Sequence, residues 1–223
     1  EAHGVQEGDE VIVPAFTFIS TANAAHIAGA TPKFVDVETD RYGLDPSAVE
    51  AAITDDTAAI VPVHYAGKPC RIDAICRIAE SHDIPVIEDA AEAFGTMHES
   101  RAVGSIGDSG ILSFGQNKVI TTGEGGAVLT DDDAVASTAE LVRSHGRASG
   151  EYFGDSSGGE YVALGQNYRM PDVVAAIGVA QMDKAEDIIE RRRTVASRYT
   201  DRIQDLSGVE PPTDAENGRH VYQ

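Results

Sequence analysis

A pair of acidic residues closes one short apolar run of the sequence. The run PVIED (85–89) ends in Glu88 and Asp89. Ligands bind at the carboxyl ends of strands in open α/β sheets, so a carboxylate here is well placed to pair with a cationic ligand atom. Asp is also a preferred first residue before a helix, and a helix N-cap is therefore the alternative role.

A serine and a lysine follow a second apolar run. Ser113 lies in GILSF (110–114), Lys118 comes five residues after it, and a glycine-rich stretch (123–126) follows. A serine hydroxyl and backbone N–H groups bind phosphate, and a lysine in a partly dry pocket can form a Schiff base. The alternative is a glycine-rich hairpin with a solvated lysine. The motifs GxxxxGK[ST] and GxGxxG after a strand are absent, which argues against a P-loop enzyme and a nicotinamide dehydrogenase.

Alternating strand-like and helix-like segments position these groups. Nearly continuous apolar runs are typical of strands buried on both faces, and they predict strands at 10–14, 33–37, 58–63, 85–89, 110–114 and 126–130. Helices are predicted at 20–28, 46–53, 70–81 and 132–145, with a long helix or two over 171–204. The Gly- and Ser-rich segment 147–165 is predicted to be a flexible loop, and RHVYQ (219–223) the opening of a strand. This order predicts an α/β fold with a mainly parallel mixed sheet flanked by helices.

The composition restricts the class of protein. The chain has 223 residues, of which 42% are hydrophobic, enough for a sizeable core. Its 17 Lys and Arg against 37 Asp and Glu give a formal net charge of -20, which argues against wrapping DNA or RNA. The scattered acids and scarce lysines predict adaptation to high salt, with an ordinary acidic cytosolic protein as the alternative. No bilayer-spanning apolar stretch and no signal peptide are found, so a cytoplasmic protein without membrane contact is expected.

Two cysteines and a histidine need separate consideration. Cys70 and Cys76 lie six residues apart on a predicted helix, without the further ligands that a zinc site requires. A single disulfide bond between these two cysteines stays an alternative, whereas a framework of several disulfide bonds is excluded. His64, in the run PVHY, is predicted to be structural, with a position near the substrate as the alternative.

Several sequence blocks together resemble the pyridoxal-phosphate sugar aminotransferases of the DegT/StrS family. They are PAFTFISTANA (14–24), GATPKFVDV (29–37), PVHYAG (62–67), IEDAAEAFG (87–95), GDSGILSFGQNKVITTGEGG (107–126) and NYRM (167–170). The resemblance implies the large domain of the fold type I pyridoxal-phosphate transferases. Within the family, the last three blocks are most similar to the GDP-perosamine synthase branch, which aminates GDP-4-keto-6-deoxymannose.

The resemblance also implies how the cofactor, pyridoxal 5'-phosphate, is held. Lys118 would bind it as a Schiff base and carry protons, and Asp89 would pair with the pyridinium nitrogen and so keep the ring an electron sink. Ser113 would hydrogen-bond the phosphate, and Phe18 would stack on the ring face. Glu92, where many relatives have Gln, would lie near the ring oxygen.

A sixth residue in the resemblance implies an assembly. Asn167, in the NYRM block, would reach the cofactor phosphate of the neighbouring subunit, so a homodimer with shared active sites is expected. Relative to the family pattern, segments at both ends are expected to be missing. Residues 1–204 are expected to form the cofactor-binding large domain and 205–223 the start of a truncated small domain.

The implied reaction transfers an amino group from L-glutamate to a nucleotide-linked 4-keto-6-deoxy sugar, in surface polysaccharide or glycan synthesis. The same chemistry on a UDP- or dTDP-linked sugar is a close alternative. A related dehydratase would carry His in place of Lys118, which argues against that class. A non-catalytic regulatory protein of the family is the remaining alternative, and it would be expected to lack Lys118 or Asp89.

Overall fold

The structure of the chain is a computed structural model that describes residues 1–148, 159–214 and 218–223. Its strands are β1 (Glu10–Pro14), β2 (Thr31–Val35), β3 (Thr57–Ile60), β4 (Ile87–Asp89), β5 (Met97–His98), β6 (Arg101–Ala102), β7 (Ser109–Ser113), β8 (Gly126–Leu129), β9 (Arg147–Ala148), β10 (Glu160–Tyr161) and β11 (Gly218–Arg219). Its helices are α1 (Ile19–Ile27), α2 (Pro46–Ala52), α3 (Ile72–Ser81), α4 (Asp133–Arg143), α5 (Asp172–Met182) and α6 (Ala185–Ile203), with a 3-10 turn at Tyr65–Gly67.

The central sheet is mixed and mainly parallel, as predicted. Strands β2, β1 and β3 pair in parallel, and β4 pairs in parallel with β7. Parallel bridges from Ile60 to Val86 and from Val63 to Asp89 join these two groups. The order is therefore β2-β1-β3-β4-β7-β8, in which the edge strand β8 runs antiparallel to β7. The predicted α/β class is confirmed.

Both faces of the sheet are covered, which explains the unbroken apolar runs. In β1, Ile12 faces a buried cluster that includes Ile72 and Ile75 of α3. Its neighbours Val11 and Val13 face a second cluster on the opposite side, with Ala22 and Ala25 of α1. Successive side chains of a strand point to opposite faces, so each face of β1 contributes to a different half of the core. Each fully buried aliphatic side chain contributes about 1.5–3 kcal/mol.

Local signals set the helix starts. The Asp45 side chain accepts a hydrogen bond from the Ser47 N–H at 2.9 Å, and Pro46 occupies the first turn of α2. The Asp132 side chain accepts from Ala134 N–H at 2.7 Å and caps α4. The segment 171–204, predicted to form one long helix or two, forms two helices, α5 and α6.

Some short elements depart from the prediction. The predicted strand 58–63 ends at Ile60, because Pro62 has no N–H to donate. The hairpin β5–β6 was not predicted; its strands have two residues each, and its turn residues Glu99 and Ser100 have φ values of 47° and 71°. The ends of the predicted loop 147–165 pair as β9 and β10, while 149–158 lie outside the described residues. Of the segment RHVYQ, predicted to open a strand, only Arg219 lies in one, as part of β11 against β5, and residues 220–223 are not in a strand.

None of the helices in the described ranges combines the length and the apolar character that crossing a membrane requires. Cys70 and Cys76 are both free thiols.

Candidate active site

A cleft of about 610 Å³ opens at the carboxyl edge of the central sheet. It is lined by residues that follow or end β1, β3, β4 and β7. Five of the six predicted site residues line it together, namely Phe18, Asp89, Glu92, Ser113 and Lys118. The residues come from distant parts of the chain, and the parallel sheet brings them to one edge.

The lysine is held in a tightly folded connection between β7 and β8. Its backbone N–H donates to the Gly115 carbonyl at 3.1 Å, and the next two residues, Val119 and Ile120, are buried. Gly125 closes the connection with φ of 158°, and a Cβ there would lie 2.7 Å from Thr122 Oγ1. The Lys118 side chain is 15% exposed. It is therefore the partly dry lysine that the sequence predicted, rather than a solvated one.

Asp89 is the last residue of β4 and its carboxylate is fixed from two sides. Oδ2 accepts the Thr21 hydroxyl at 2.7 Å, and Oδ1 accepts the Ala91 N–H at 3.1 Å. No helix begins in the described residues that follow, 90–95, so the alternative N-cap role does not apply. Thr21 is buried and was missed by sequence reasoning. The available signal was its spacing from Thr17, four residues earlier, whose hydroxyl lies 2.9 Å from that of Thr21.

Glu92 links the lysine to the turn at Tyr65–Gly67. Its Oε1 lies 3.6 Å from Lys118 Nζ. Its Oε2 accepts the backbone N–H of Ala66 at 2.9 Å. Ala66 has φ of 52°, in the left-handed region that non-glycine residues rarely adopt. Strained backbone of this kind persists where several contacts hold it, and such positions are concentrated at functional sites.

Two further residues complete the cleft. Phe18 is the N-cap residue of α1 and is 71% exposed, so its ring is free to cover a planar ligand. Ser113 ends β7, and its Oγ accepts the Gly115 N–H at 3.3 Å. Its hydroxyl hydrogen remains able to donate to an anionic group.

Asn167 is not brought to this cleft. It lies in an antiparallel bridge with Ser144, is exposed, and accepts a hydrogen bond from Arg169 Nη2 at 3.2 Å. A role at the cleft of its own subunit is therefore not supported by its position. Its predicted role at the neighbouring subunit's site stays a prediction.

A buried hydrogen-bonded pair, His64 and Glu88, lies behind the cleft. His64 and Glu88 are both fully buried, with His64 Nε2 2.8 Å from Glu88 Oε2. The Cys70 N–H donates to His64 Nδ1 at 3.2 Å, so this nitrogen carries no proton and Nε2–H is the donor to Glu88. His64 is fully buried and does not line the cleft, which supports the predicted structural role.

Glu88 is satisfied on both oxygens. The N–H groups of Ile106 and Gly107 donate to Oε1 at 2.6 and 2.8 Å, and that of Gly104 donates to Oε2 at 2.9 Å. Burial raises the pKa of Glu88, but the hydrogen bonds from His64, Gly104 and Gly107 outweigh it, and the net pKa lies below the ordinary value. Through these hydrogen bonds, Glu88 connects the loop before β7, residues 104–107, to β4.

Replacing Glu88 by glutamine is expected to destabilise the fold by about 3–5 kcal/mol, because an amide NH₂ would face N–H donors in a buried site.

The stability that Glu88 contributes is also expected to depend on pH. Since the folded-state pKa of Glu88 is lowered, its carboxylate stabilises the protein above pH 4.5, and this contribution is lost as the pH falls through the folded pKa. Urea unfolding at pH 7 and in acid measures both effects. Glu80→Gln, at an exposed position of α3, is the matched control. Equal midpoints for the two variants at pH 7 would contradict the prediction.

Comparison with known proteins decides the family. The model of the DegT/DnrJ/EryC1/StrS aminotransferase family matches residues 1–223. The chain belongs to this family. The predicted resemblance is thereby confirmed.

Three relatives illustrate the range of the family. GDP-perosamine synthase of Caulobacter vibrioides is 40% identical over 222 residues, which cover 99% of this chain and 58% of the relative. The spore coat polysaccharide biosynthesis protein SpsC of Bacillus subtilis is 39% identical over 226 residues, covering 100% and 58%. The solved structure of DesV from S. venezuelae superimposes with a TM-score of 0.91 at 33% identity, covering 99% and 58%. The chain thus spans 58% of the length of these curated relatives.

The family uses pyridoxal phosphate. Membership of the family therefore confirms the predicted cofactor and the predicted fold type. The cleft fits this cofactor. A primary amine, a carboxylate and a hydroxyl are the groups that an aldehyde, a ring nitrogen and a phosphate require, and Lys118, Asp89 and Ser113 supply them in one cleft. Glu92 and the exposed ring of Phe18 complete the set.

Proposed function

We propose that the protein transfers an amino group from L-glutamate to a nucleotide-linked 4-keto-6-deoxy sugar, in the synthesis of a surface polysaccharide or glycan. The observation that carries the proposal is the meeting of Lys118, Asp89 and Ser113 in one cleft of an aminotransferase-family fold. Two relatives, a perosamine synthase and a spore coat polysaccharide biosynthesis protein, support the sugar substrate.

Each residue has a defined task in this proposal. Pyridoxal phosphate, when bound, supplies an electron sink for the carbanion formed at the carbon that gains or loses the amino group. Lys118 removes and returns the proton at that carbon, in both the glutamate and the sugar half-reactions. Asp89 holds the proton on the pyridine nitrogen, and Ser113 donates to the phosphate. Phe18 covers one face of the ring.

The remaining two residues act at the edges of the site. Glu92 binds near the ring oxygen and is fixed there by the Ala66 N–H. Asn167 reaches the phosphate held by a neighbouring subunit, which requires a homodimer. Its exposure supports this role, as does the apolar surface of α5 nearby, where Val173, Val179 and Met182 are more than half exposed. A monomer by analytical ultracentrifugation would contradict this arrangement.

Borohydride reduction of the protein, expressed from its complete reading frame with pyridoxal phosphate, tests the proposal. A phosphopyridoxyl group on the peptide that contains Lys118 is the expected result. A modified lysine elsewhere would overturn the site assignment. A folded protein without any modification would favour a non-catalytic regulatory protein.

A panel of GDP-, UDP- and dTDP-linked 4-keto sugars then tests the substrate. We expect the highest kcat/KM with the GDP-linked 4-keto-6-deoxymannose, because GDP-perosamine synthases from two organisms are 40% identical to this chain over 222 residues. A preference for a UDP- or dTDP-linked sugar would retain the chemistry and change the assigned nucleotide.

A further inference from the structure

The last four residues of the chain lie across both loops that carry the cleft's charged groups. His220 Nε2 lies 3.0 Å from the Ala66 carbonyl oxygen, and the Gln223 N–H donates to the same oxygen at 2.9 Å. The Gln223 side-chain amide donates to the Asn117 carbonyl at 2.5 Å, directly before Lys118. The segment 220–223 therefore touches the Ala66 turn on one side and the lysine loop on the other.

The segment is itself firmly anchored. Val221 is fully buried in an apolar cluster with Val119 and Ile120, the two residues after Lys118. From α6, Arg193 Nη1 donates to the His220 carbonyl at 2.7 Å and Arg192 Nη1 donates to the Tyr222 carbonyl at 3.0 Å. The position of His220 is consequently set by α6 and the core rather than by the Ala66 turn that it contacts.

His220 is a hydrogen-bond donor in this position. A carbonyl oxygen can only accept, so Nε2 carries the proton. The ring is 3% exposed and stacks on Tyr222 with centroids 3.9 Å apart. Its Nδ1 is buried without a partner among the described residues, which suits the neutral ring. Burial lowers the pKa of His220, in agreement with this state.

Three contacts connect His220 to the reactive amine. His220 Nε2–H donates to the Ala66 carbonyl, and the Ala66 N–H donates to Glu92 Oε2. The other oxygen of that carboxylate, Oε1, lies 3.6 Å from Lys118 Nζ. Ala66 has a positive φ, so its orientation depends on contacts at both its N–H and its carbonyl. Loss of the His220 donor would leave the Gln223 N–H as the remaining described donor to that carbonyl, and the turn would relax and move the N–H that fixes Glu92.

We propose that His220 is a positioning residue of the active site, which holds the Ala66 turn so that the Glu92 carboxylate faces Lys118 and the cofactor. The proposal rests on the proposed function, because Glu92 matters only if the cleft binds the cofactor. His220 does not line the cleft and acts through the backbone of Ala66.

The test uses two substitutions of different chemistry. His220→Phe keeps a ring to stack on Tyr222 and removes the donor, whereas His220→Gln keeps an N–H donor of similar reach. Each is made in the wild-type and in the Glu92→Ala background. The readouts are the dissociation constant of pyridoxal phosphate for the apoprotein, followed by absorbance, and the thermal unfolding midpoint.

We expect His220→Phe to weaken cofactor binding about tenfold in the wild-type background. His220→Gln should recover most of that loss. In the Glu92→Ala background, His220→Phe should add little, because the carboxylate on which His220 acts is already gone. The unfolding midpoints of the Phe and Gln variants should differ less than their cofactor affinities do.

Two results would overturn the inference. One is a tenfold loss that is equally large with and without Glu92, since this would indicate a general effect on folding. The other is unchanged cofactor affinity in His220→Phe. In either case, borohydride labelling of Lys118 in the wild-type protein shows whether the proposed function still stands, so the two failures are distinguishable.

Discussion

Replacement of Lys118 by arginine is expected to lower kcat for amino transfer by at least about 10⁴-fold, the largest effect of any single substitution in this chain. Arginine retains the positive charge beside Glu92, so the local electrostatics change little. The guanidinium group stays protonated at all working pH values and can neither form a Schiff base nor accept a proton. Both tasks assigned to the lysine are lost together.

The measurement is single-turnover kinetics with L-glutamate and with a nucleotide-linked keto sugar, followed by the absorbance of the bound cofactor. Lys184→Arg is the matched control, because Lys184 is exposed at the start of α6, far along the chain from the cleft residues. It should retain wild-type rates. Rates for Lys118→Arg within tenfold of wild type would show that another group moves the proton, and the assignment of the site would then be wrong.

Most of the fold follows from patterns that the sequence displays openly. Strands such as β1 contribute to clusters on both of their faces, so they read as unbroken apolar runs, and their positions shift by only a few residues in the structure. The helix starts at α2 and α4 are marked by capping Asp residues. The strand pairs β5–β6 and β9–β10 have strands of two residues each, too short to carry a periodic signal, and the sequence does not predict them.

The residues of the candidate site likewise fall into those that the sequence predicts and those that it does not. Asp89 and Lys118 stand out because ionisable side chains end or follow apolar runs, and their neighbours identify the family. Thr21, the Ala66 backbone and His220 were not predicted as site residues, because each acts through a contact between segments far apart in the chain. A backbone N–H or carbonyl leaves no trace in the residue type. The dimer, the adaptation to high salt and the domain boundary at residue 204 stay predictions.

Replacement of Asp89 by asparagine is expected to lower kcat by about 100- to 1,000-fold, comparable to the loss of one preorganised electrostatic contact in an active site. The substitution keeps the shape of the side chain, and its remaining oxygen can still accept the Ala91 N–H that now donates to Oδ1 at 3.1 Å. The charge disappears, together with the oxygen that accepts the Thr21 hydroxyl. Without a carboxylate beside it, the pyridine nitrogen is less readily protonated, and the ring withdraws electrons less strongly from the carbon that must lose a proton.

A change in chemistry can be separated from a change in structure at this position. The unfolding midpoint of Asp89→Asn should stay close to that of wild type, whereas the rate of the glutamate half-reaction should fall by the full factor. Thr21→Val removes the hydroxyl that donates to Asp89 Oδ2 at 2.7 Å but leaves the charge, so its rate should fall much less. If Asp89→Asn and Thr21→Val slowed the reaction equally, the hydrogen-bonded geometry rather than the charge of Asp89 would be the feature that matters.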